Sequence, residues 1–302
     1  MAKTLKQDPI NKDDIKDYLA KYSDFAFEIK TLSLLTSIEC KCKHAGTYHD
    51  PITNKIREYD IRAQISKKIS SGLTFNLLLA IECKNMKENY PLLVHCMPRA
   101  KHEAMEEMVF CYHNEVEELL SAKDNEYFYF ATTIPFSRGL SLYTKDDPVG
   151  KSCDQIGRSS GNDIVGSDSN VFEKISQALN SSDDLIKEAA SFNSFTKYSV
   201  SIIKPVLVVP DKSLWQIIYD SKGNIKTDPK QVEYVPYYCG KSWPYAESDG
   251  KLHEYTLSHL DIVTSSYLSD HIKSVLKFEN EDLFEHLQRQ QKAGLMSQEI
   301  KL

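Results

Sequence analysis

The sequence predicts a single α+β domain with additions, on three observations. Apolar residues recur at helical spacing near both ends of the chain and at strand spacing between them. Of the residues, 41% are hydrophobic and 26% charged, the balance of a folded chain rather than a disordered or collagen-like one. No Pro- or Gly-rich linker divides the 302 residues, so one large unit is favoured over two.

From Asp13, the residues Ile15, Leu19, Tyr22, Phe25 and Phe27 lead into Ile29, Leu32, Leu34 and Leu35 with a helical period, bent near Ser23. The period then falls to two. SIECKCKHAGTYH at 37–49, IREYDIRAQI at 56–65 and LTFNLLLAIECK at 73–84 predict three strands of an antiparallel meander, parted by DPITNK and KKISSG. Met105, Met108, Val109, Tyr112, Val116, Leu119 and Leu120 predict a helix over 99–121, and EYFYFATTIPF predicts a buried strand over 126–136. The Gly-, Ser- and Asp-rich stretch 144–170 predicts a long loop or flap. A helix follows over 171–191, then strands at 199–209 and 214–219, a turn at 220–224, and an amphipathic helix over 265–293.

Lys and Arg total 37 against 43 Asp and Glu, a net charge of −6, which excludes a strongly basic, histone-like surface. The longest mostly apolar run, Leu73 to Ile81, contains Asn76 and is far shorter than the ~18 residues a membrane span needs, so no membrane partner is expected. MAKTLKQDPINKDD has no apolar segment for a signal peptide, which predicts a cytoplasmic protein. The seven cysteines form no CxxC pair, which argues against a zinc ribbon and suits buried thiols in a reducing compartment.

The chemistry concentrates in residues 24–85. Glu82 and Lys84, two apart at the end of the apolar strand Leu77–Ile81, point to the same face. The turn candidate Ser70-Ser71-Gly72 centres on position 71, which sets Asp60 directly opposite Glu82. Two carboxylates whose Cβ atoms lie ~5 Å apart repel unless a cation lies between them. A hard divalent ion with oxygen ligands, Mg²⁺ first, meets that need.

The order of a helical Glu28 in FAFEIKTLSLL, Asp60 in REYD and then Glu82-Cys83-Lys84 resembles the PD-(D/E)xK nucleases, the restriction-endonuclease-like superfamily, over roughly residues 20–135 and on toward 215. The resemblance implies an α/β/α core, a mixed central sheet flanked by helices, over 13–215, with 216–302 a C-terminal extension of β and α elements packed on the same domain. It implies that Asp60 and Glu82 bind Mg²⁺ (or Mn²⁺ as a substitute), that Glu28 completes the metal site, and that Lys84 assists the attacking water in phosphodiester hydrolysis. It further implies nucleic acid as substrate, DNA first, a homodimer where both strands are cut, and a role in defence against foreign DNA. The family's first motif is often Pro-Asp, whereas Tyr59 precedes the Asp here. Gln155 and Gln177 are candidates for the polar residue that some branches place on a later helix.

An internal control bears on the motif. IECK occurs at 38–41 as well as 81–84, but no hairpin can pair an upstream acid with Glu39, so the first copy reads as a solvent-facing strand. Residues 1–105 hold 17 Lys and Arg against 13 Asp and Glu, leaving −10 for the rest, so the lobe with the candidate site is the one better suited to a polyanion. Gly150-Lys151-Ser152 and Gly240-Lys241-Ser242 lack the glycine five residues upstream that a phosphate-binding loop requires. His95 and His102 stand seven apart with no HExxH, and the run Tyr127 to Phe130 alternates as a buried strand does. The reading from a different class is a nuclease-like fold kept as a nucleic-acid- or protein-binding module without cleavage. An enzyme acting on a small nucleotide is disfavoured by the lack of a phosphate-binding glycine loop.

Overall fold

Ser23 is where the first helical stretch breaks. In the computed structural model, which describes residues 8–21, 23–70, 72–113, 127–135, 143–167, 169–190, 198–246 and 252–278, α1 (Lys12–Lys21) ends there and α2 (Asp24–Ser37) begins. The Ser23 Oγ caps α2 by accepting from the Ala26 N–H at 3.2 Å. At the other end of α2, Glu39 takes a left-handed φ of 64°, and the N–H groups of residues 38–40 bond back to Leu35 and Thr36 carbonyls. The first IECK copy is therefore a helix exit and not the expected strand, which begins only at Lys41, although Glu39 and Lys41 are exposed as that reading required.

The three-strand meander is present as β1 (Lys41–His49), β2 (Ile56–Ser70) and β3 (Leu73–Cys83). Asp50 tightens the β1–β2 turn by accepting from Ile52 and Thr53 N–H at 3.0 and 2.8 Å. β3 is buried on both faces. Leu77, Leu79 and Ile81 pack with Leu35 of α2, while Leu78 and Ala80 pack with Val171, Ile175 and Ala178 of α3 (Ser169–Ala190). That two-sided burial explains the near-continuous apolar run in its sequence. α4 (Leu268–Phe278) adds Leu268, Ile272 and Val275 on the α2 side, so helices cover both faces. The predicted continuation of this helix to 293 lies outside the described residues.

The remaining strands are β4 (Leu92–Pro98), β5 (Met105–His113), β6 (Tyr127–Pro135), β7 (Pro148–Arg158), β8 (Ile164–Ser167), β9 (Tyr198–Val209), β10 (Leu214–Tyr219), β11 (Ile225–Gln231), β12 (Tyr234–Ala246) and β13 (Leu252–Thr264). All join one mixed 13-stranded sheet in the order β1-β2-β3-β9-β13-β12-β7-β4-β10-β11, with β5 and β6 branching from β9, and β8 from β7. β9 runs parallel to β3 from Leu73↔Tyr198 to Cys83↔Val208. β12 and β13 enter the middle of the sheet, so strands beyond residue 216 are integral to it. Among the described residues, no helix is long and apolar enough to cross a membrane.

Two expectations fail. The helix predicted over 99–121 is instead a short 3₁₀ turn (Lys101–Glu103) followed by β5, and 114–121 lie outside the described residues. Residues 105–113 carry apolar side chains at spacings a helix could use, but β6 on one side and β9 on the other pair their backbone, and tertiary pairing overrides local period. The expected loop over 144–170 is largely the β7–β8 hairpin. Its Gly, Ser and Asp mislead, because β7 buries Val149 and Cys153 inward and pairs with β4 from Leu92↔Gln155 to Pro98↔Pro148. The strand over 127–135 is present as β6, but its side chains lie outside the described residues.

β13 also anchors a buried polar network. Asp261, fully buried, accepts from the Tyr143 and Tyr234 hydroxyls at 3.1 and 3.0 Å and faces His271 Nε2 at 3.1 Å. Burial opposes its charge, but the His271 hydrogen bond and the charges of His271 and Lys204 outweigh burial and hold its carboxyl down at about 2. A carboxyl held below its unfolded value of about 3.9 stabilises the fold above that value and loses its contribution as pH falls toward 2. We expect the stability difference between the parent and Asp261→Asn to shrink by about 2 kcal/mol between pH 6 and pH 2, read from urea midpoints. A pH-independent difference would remove Asp261 from the acid response.

Candidate active site

The β2–β3 ladder decides whether Asp60 and Glu82 face one another. Its register runs through Ile61↔Ile81, and the next pair outward is Asp60 with Glu82. The shift in this ladder falls at the turn end, between Lys68 and Ser70, and leaves the far end in the predicted register. Beyond Ile61 the carboxylates continue the ladder. The Asp60 N–H donates to Glu82 Oε1 at 3.3 Å, and the Cys83 N–H donates to Asp60 Oδ2 at 2.7 Å.

The cation between them is Lys174. Its Nζ lies 2.9 and 2.8 Å from the two Asp60 oxygens and 2.9 Å from Glu82 Oε2. It reaches them from α3, on the Leu78–Ala80 face of the sheet. Arg62 fastens the same helix to β2 through Asp184 Oδ2 at 2.9 Å and the Ser181 carbonyl at 3.2 Å. Glu82 is 1% exposed, and burial first, then the neighbouring Asp60, pushes its carboxyl up to about 8 despite Lys174. Burial also opposes the Lys174 charge, but Glu82 and Asp60 together outweigh it and hold the ammonium above the usual lysine value. Two carboxylates against one ammonium leave the ionised cluster an excess negative charge.

Glu28 comes from α2, on the other side of the sheet. Its Oε2 lies 3.2 Å from His44 Nε2 on β1, and burial followed by the Asp60 charge raises its carboxyl pKa. The structure thus brings Glu28 within electrostatic range of Asp60 and Lys174 while engaging its carboxylate with His44. Lys84 does not join the carboxylates. Its Nζ lies 3.7 Å from Asp24 Oδ2 at the start of α2, and its N–H continues the β3–β9 ladder to the Val208 carbonyl at 2.9 Å.

No protein family, curated protein or solved structure matches this chain.

The fit to a divalent cation can be tested on the donors. Among the described residues, no group of three or more His, Cys, Asp or Glu side chains is gathered so that it could hold a metal ion. Mg²⁺, however, is commonly held by one or two carboxylates, with water and substrate phosphate completing an oxygen shell. The facing pair Asp60 and Glu82, all-oxygen and already arranged around the Lys174 ammonium, has the donor chemistry such an ion takes. Glu28 could be recruited if His44 released it.

Lys174 and His44 are the residues that sequence reasoning missed. A signal for Lys174 was present: it borders the apolar stripe Val171, Ile175 and Ala178, and further along α3 the polar Asn180, Ser181, Ser182 and Asp183 are all buried. A helix that buries polar groups has polar partners to meet. Gln177 follows Lys174 by three residues, and its Oε1 is buried without a hydrogen-bond partner among the described residues. Gln155 sits on β7 and donates to the Tyr90 carbonyl at 3.0 Å. Gly150 and Gly240 lie inside β7 and β12 and open no helix, in keeping with the rejected phosphate loops. His95 pairs with Asp154 at 3.0 Å, and His102 is exposed beside Glu103.

Proposed function

We propose that this chain is a metal-dependent nuclease of the PD-(D/E)xK kind, hydrolysing phosphodiester bonds in nucleic acid, with DNA the first substrate to test. One observation carries the reading: Asp60 and Glu82 face each other at the ends of β2 and β3 with a cationic nitrogen within 2.9 Å of both. Like carboxylates in contact are destabilising unless a cation is bound, so the arrangement is one that selects cations. A helix before the meander, α3 packed on the meander's other face and β9 parallel to β3 support the mixed-sheet core that the resemblance implies.

In this reading Asp60 and Glu82 hold Mg²⁺ or Mn²⁺, and the ion supplies Lewis acidity toward a phosphoryl oxygen and a more acidic water. The protein's own groups do the rest. Displaced from between the carboxylates, Lys174 offers its ammonium to the charge that develops on the phosphate. Lys84, which among the described residues makes a long 3.7 Å contact to Asp24, would turn to orient the attacking water. The Glu28–His44 pair, on the α2 side of the sheet within electrostatic range of Asp60, can hold a proton there.

The test is cleavage of plasmid and single-stranded DNA with Mg²⁺ and with Mn²⁺. Lys84→Ala is expected to lower the cleavage rate about 10²-fold, the usual scale for loss of a proton-transfer group, and to change stability by less than about 1 kcal/mol, since its ion pair is partly exposed. Parent-like cleavage by this variant would remove Lys84 from the mechanism.

The binding-module reading has an observation of its own. Lys174 already supplies a cation, so the fold can hold both carboxylates without metal. The melting temperature separates the two. A cation site raises it in millimolar Mg²⁺ or Mn²⁺ by mass action, whereas a closed salt-bridge cluster does not respond.

A further inference from the structure

On the other flank of α3 a cleft of about 440 Å³ opens between this helix and β12. Phe172, Ser176 and Leu179 line it from the helix, and Tyr237, Tyr238 and Lys241 from the strand. Two features of this cleft are unexplained by the fold. Phe172 leaves 59% of its surface exposed beside buried Val171 and Ile175. Lys241 is half-buried, yet no carboxylate stands within ion-pair distance of it among the described residues. Its Nζ hydrogen-bonds to Asn180 Oδ1 and sits 5.1 Å from the Trp243 ring, and Asp50 and Asp183 act on it electrostatically from farther away.

The backbone is shaped to present this lysine. The β12–β13 register shifts between Tyr238 and Lys241, and Gly240 at the shift has φ 51°, a conformation that suits glycine. A Cβ at Gly240 would approach the Tyr238 hydroxyl to 2.6 Å, so the ring packs against the bare backbone. Burial pushes the Lys241 pKa down although Asp50 and Asp183 oppose it from a distance, so an anion arriving in direct contact would be stabilised there. An anion site beside exposed aromatic surface matches a phosphate carrying an aromatic base.

We propose that this cleft takes one nucleotide unit of a single-stranded nucleic acid, the base stacked on Phe172 and the phosphate at Lys241. The inference rests on the nuclease reading for its choice of a strand rather than a free nucleotide. Phe172 stands two residues before Lys174 in the first two turns of α3, so the cleft opens at the same end of the helix as the side chain that reaches Asp60 and Glu82.

The experiment is fluorescence anisotropy of a 5′-labelled oligothymidylate in EDTA, which reads binding without cleavage. Phe172→Ala, at an exposed position that leaves the fold intact, is expected to weaken binding between about 5- and 150-fold, the range for loss of one base–aromatic stack. Lys241→Met keeps the packing and is expected to reduce the slope of log affinity against log salt by about 0.7. Parent-like binding by both variants, no binding by the parent, or equal competition by free thymidine monophosphate each overturns the proposal. Variant-sensitive binding by a parent that cleaves no DNA in Mg²⁺ would overturn the nuclease reading and leave the cleft standing. Cleavage with unchanged affinity in both variants would do the reverse.

Discussion

Lys174→Ala is expected to destabilise the folded chain by about 3–5 kcal/mol at neutral pH in the absence of divalent metal, the scale for breaking a buried ion pair from one side. The reason is what remains. Asp60 and Glu82 stay fixed by the ladder, each accepting a backbone N–H across the pair, and cannot move apart when the ammonium goes. Were both ionised at a separation near 4 Å and an effective dielectric of about 20, they would repel by about 4 kcal/mol. Glu82, its carboxyl already pushed up to about 8, avoids this at neutral pH by keeping its proton, and the loss is then that of the hydrogen bonds and counter-charge Lys174 gave to Asp60. A divalent cation relieves it better. The variant should therefore gain more melting temperature from Mg²⁺ than the parent does, because the ion no longer competes with Lys174 for the same oxygens. Stabilisation by a ligand at 100 times its Kd is about 2.7 kcal/mol, enough to return much of the loss. A variant as stable as the parent would mean that the cluster is dispensable. A destabilised variant that ignores Mg²⁺ and Mn²⁺ would favour the binding module over the nuclease.

Asp60→Asn should separate chemistry from folding in the opposite sense. The amide keeps a carbonyl oxygen for the Cys83 N–H and leaves Lys174 paired with Glu82, but gives up a charged contact to the Lys174 ammonium, so the fold should persist at a cost of about 1–3 kcal/mol. Metal-dependent cleavage should fall by at least about 10³-fold, because a ligand that contributes about 4 kcal/mol to holding and placing the ion is lost. Oligonucleotide binding in EDTA should persist, since nothing in the cleft has changed. Cleavage within tenfold of the parent would exclude Asp60 as a metal ligand and with it the mechanism proposed above.

The parts of this site that could be read from sequence are those set by nearby residues. The turn region is only 10–12 residues from Asp60 and Glu82, and from Lys68 outward, past one shift beside the turn, the alternation of β2 and β3 keeps a single register. The break near Ser23, the helix α3 and the Asp220 turn are legible for the same local reason, the last because Asp220 Oδ1 accepts from Lys222 and Asn224 N–H at 2.8 and 2.9 Å. The residues that escaped depend on pairing between distant segments. β5 is a strand because β6 and β9 flank it, and β7 because β4 does. Lys174 finds its carboxylates through the seating of α3 on the sheet, and the same seating explains why the cation beside Glu82 is not the Lys84 two residues away. The Lys84 ammonium went to Asp24 because α2 begins where β3 ends, a juxtaposition that no local period records.

The insertion of β4 to β8 between β3 and α3 has a kinetic meaning. Lys174 and Glu82 are 92 residues apart, so their contact must wait for a long stretch of chain to close, whereas the hairpin that aligns the two carboxylates closes over 22 residues. Local closures come first and long ones last. As the polypeptide matures, the two acids therefore stand together before their lysine arrives, and the half-formed meander is a transient acceptor for any cation in its surroundings. The final docking of α3 is then an exchange of counter-ions as much as a packing step, and the rate at which this chain completes its fold should respond to the divalent ions present while it does so.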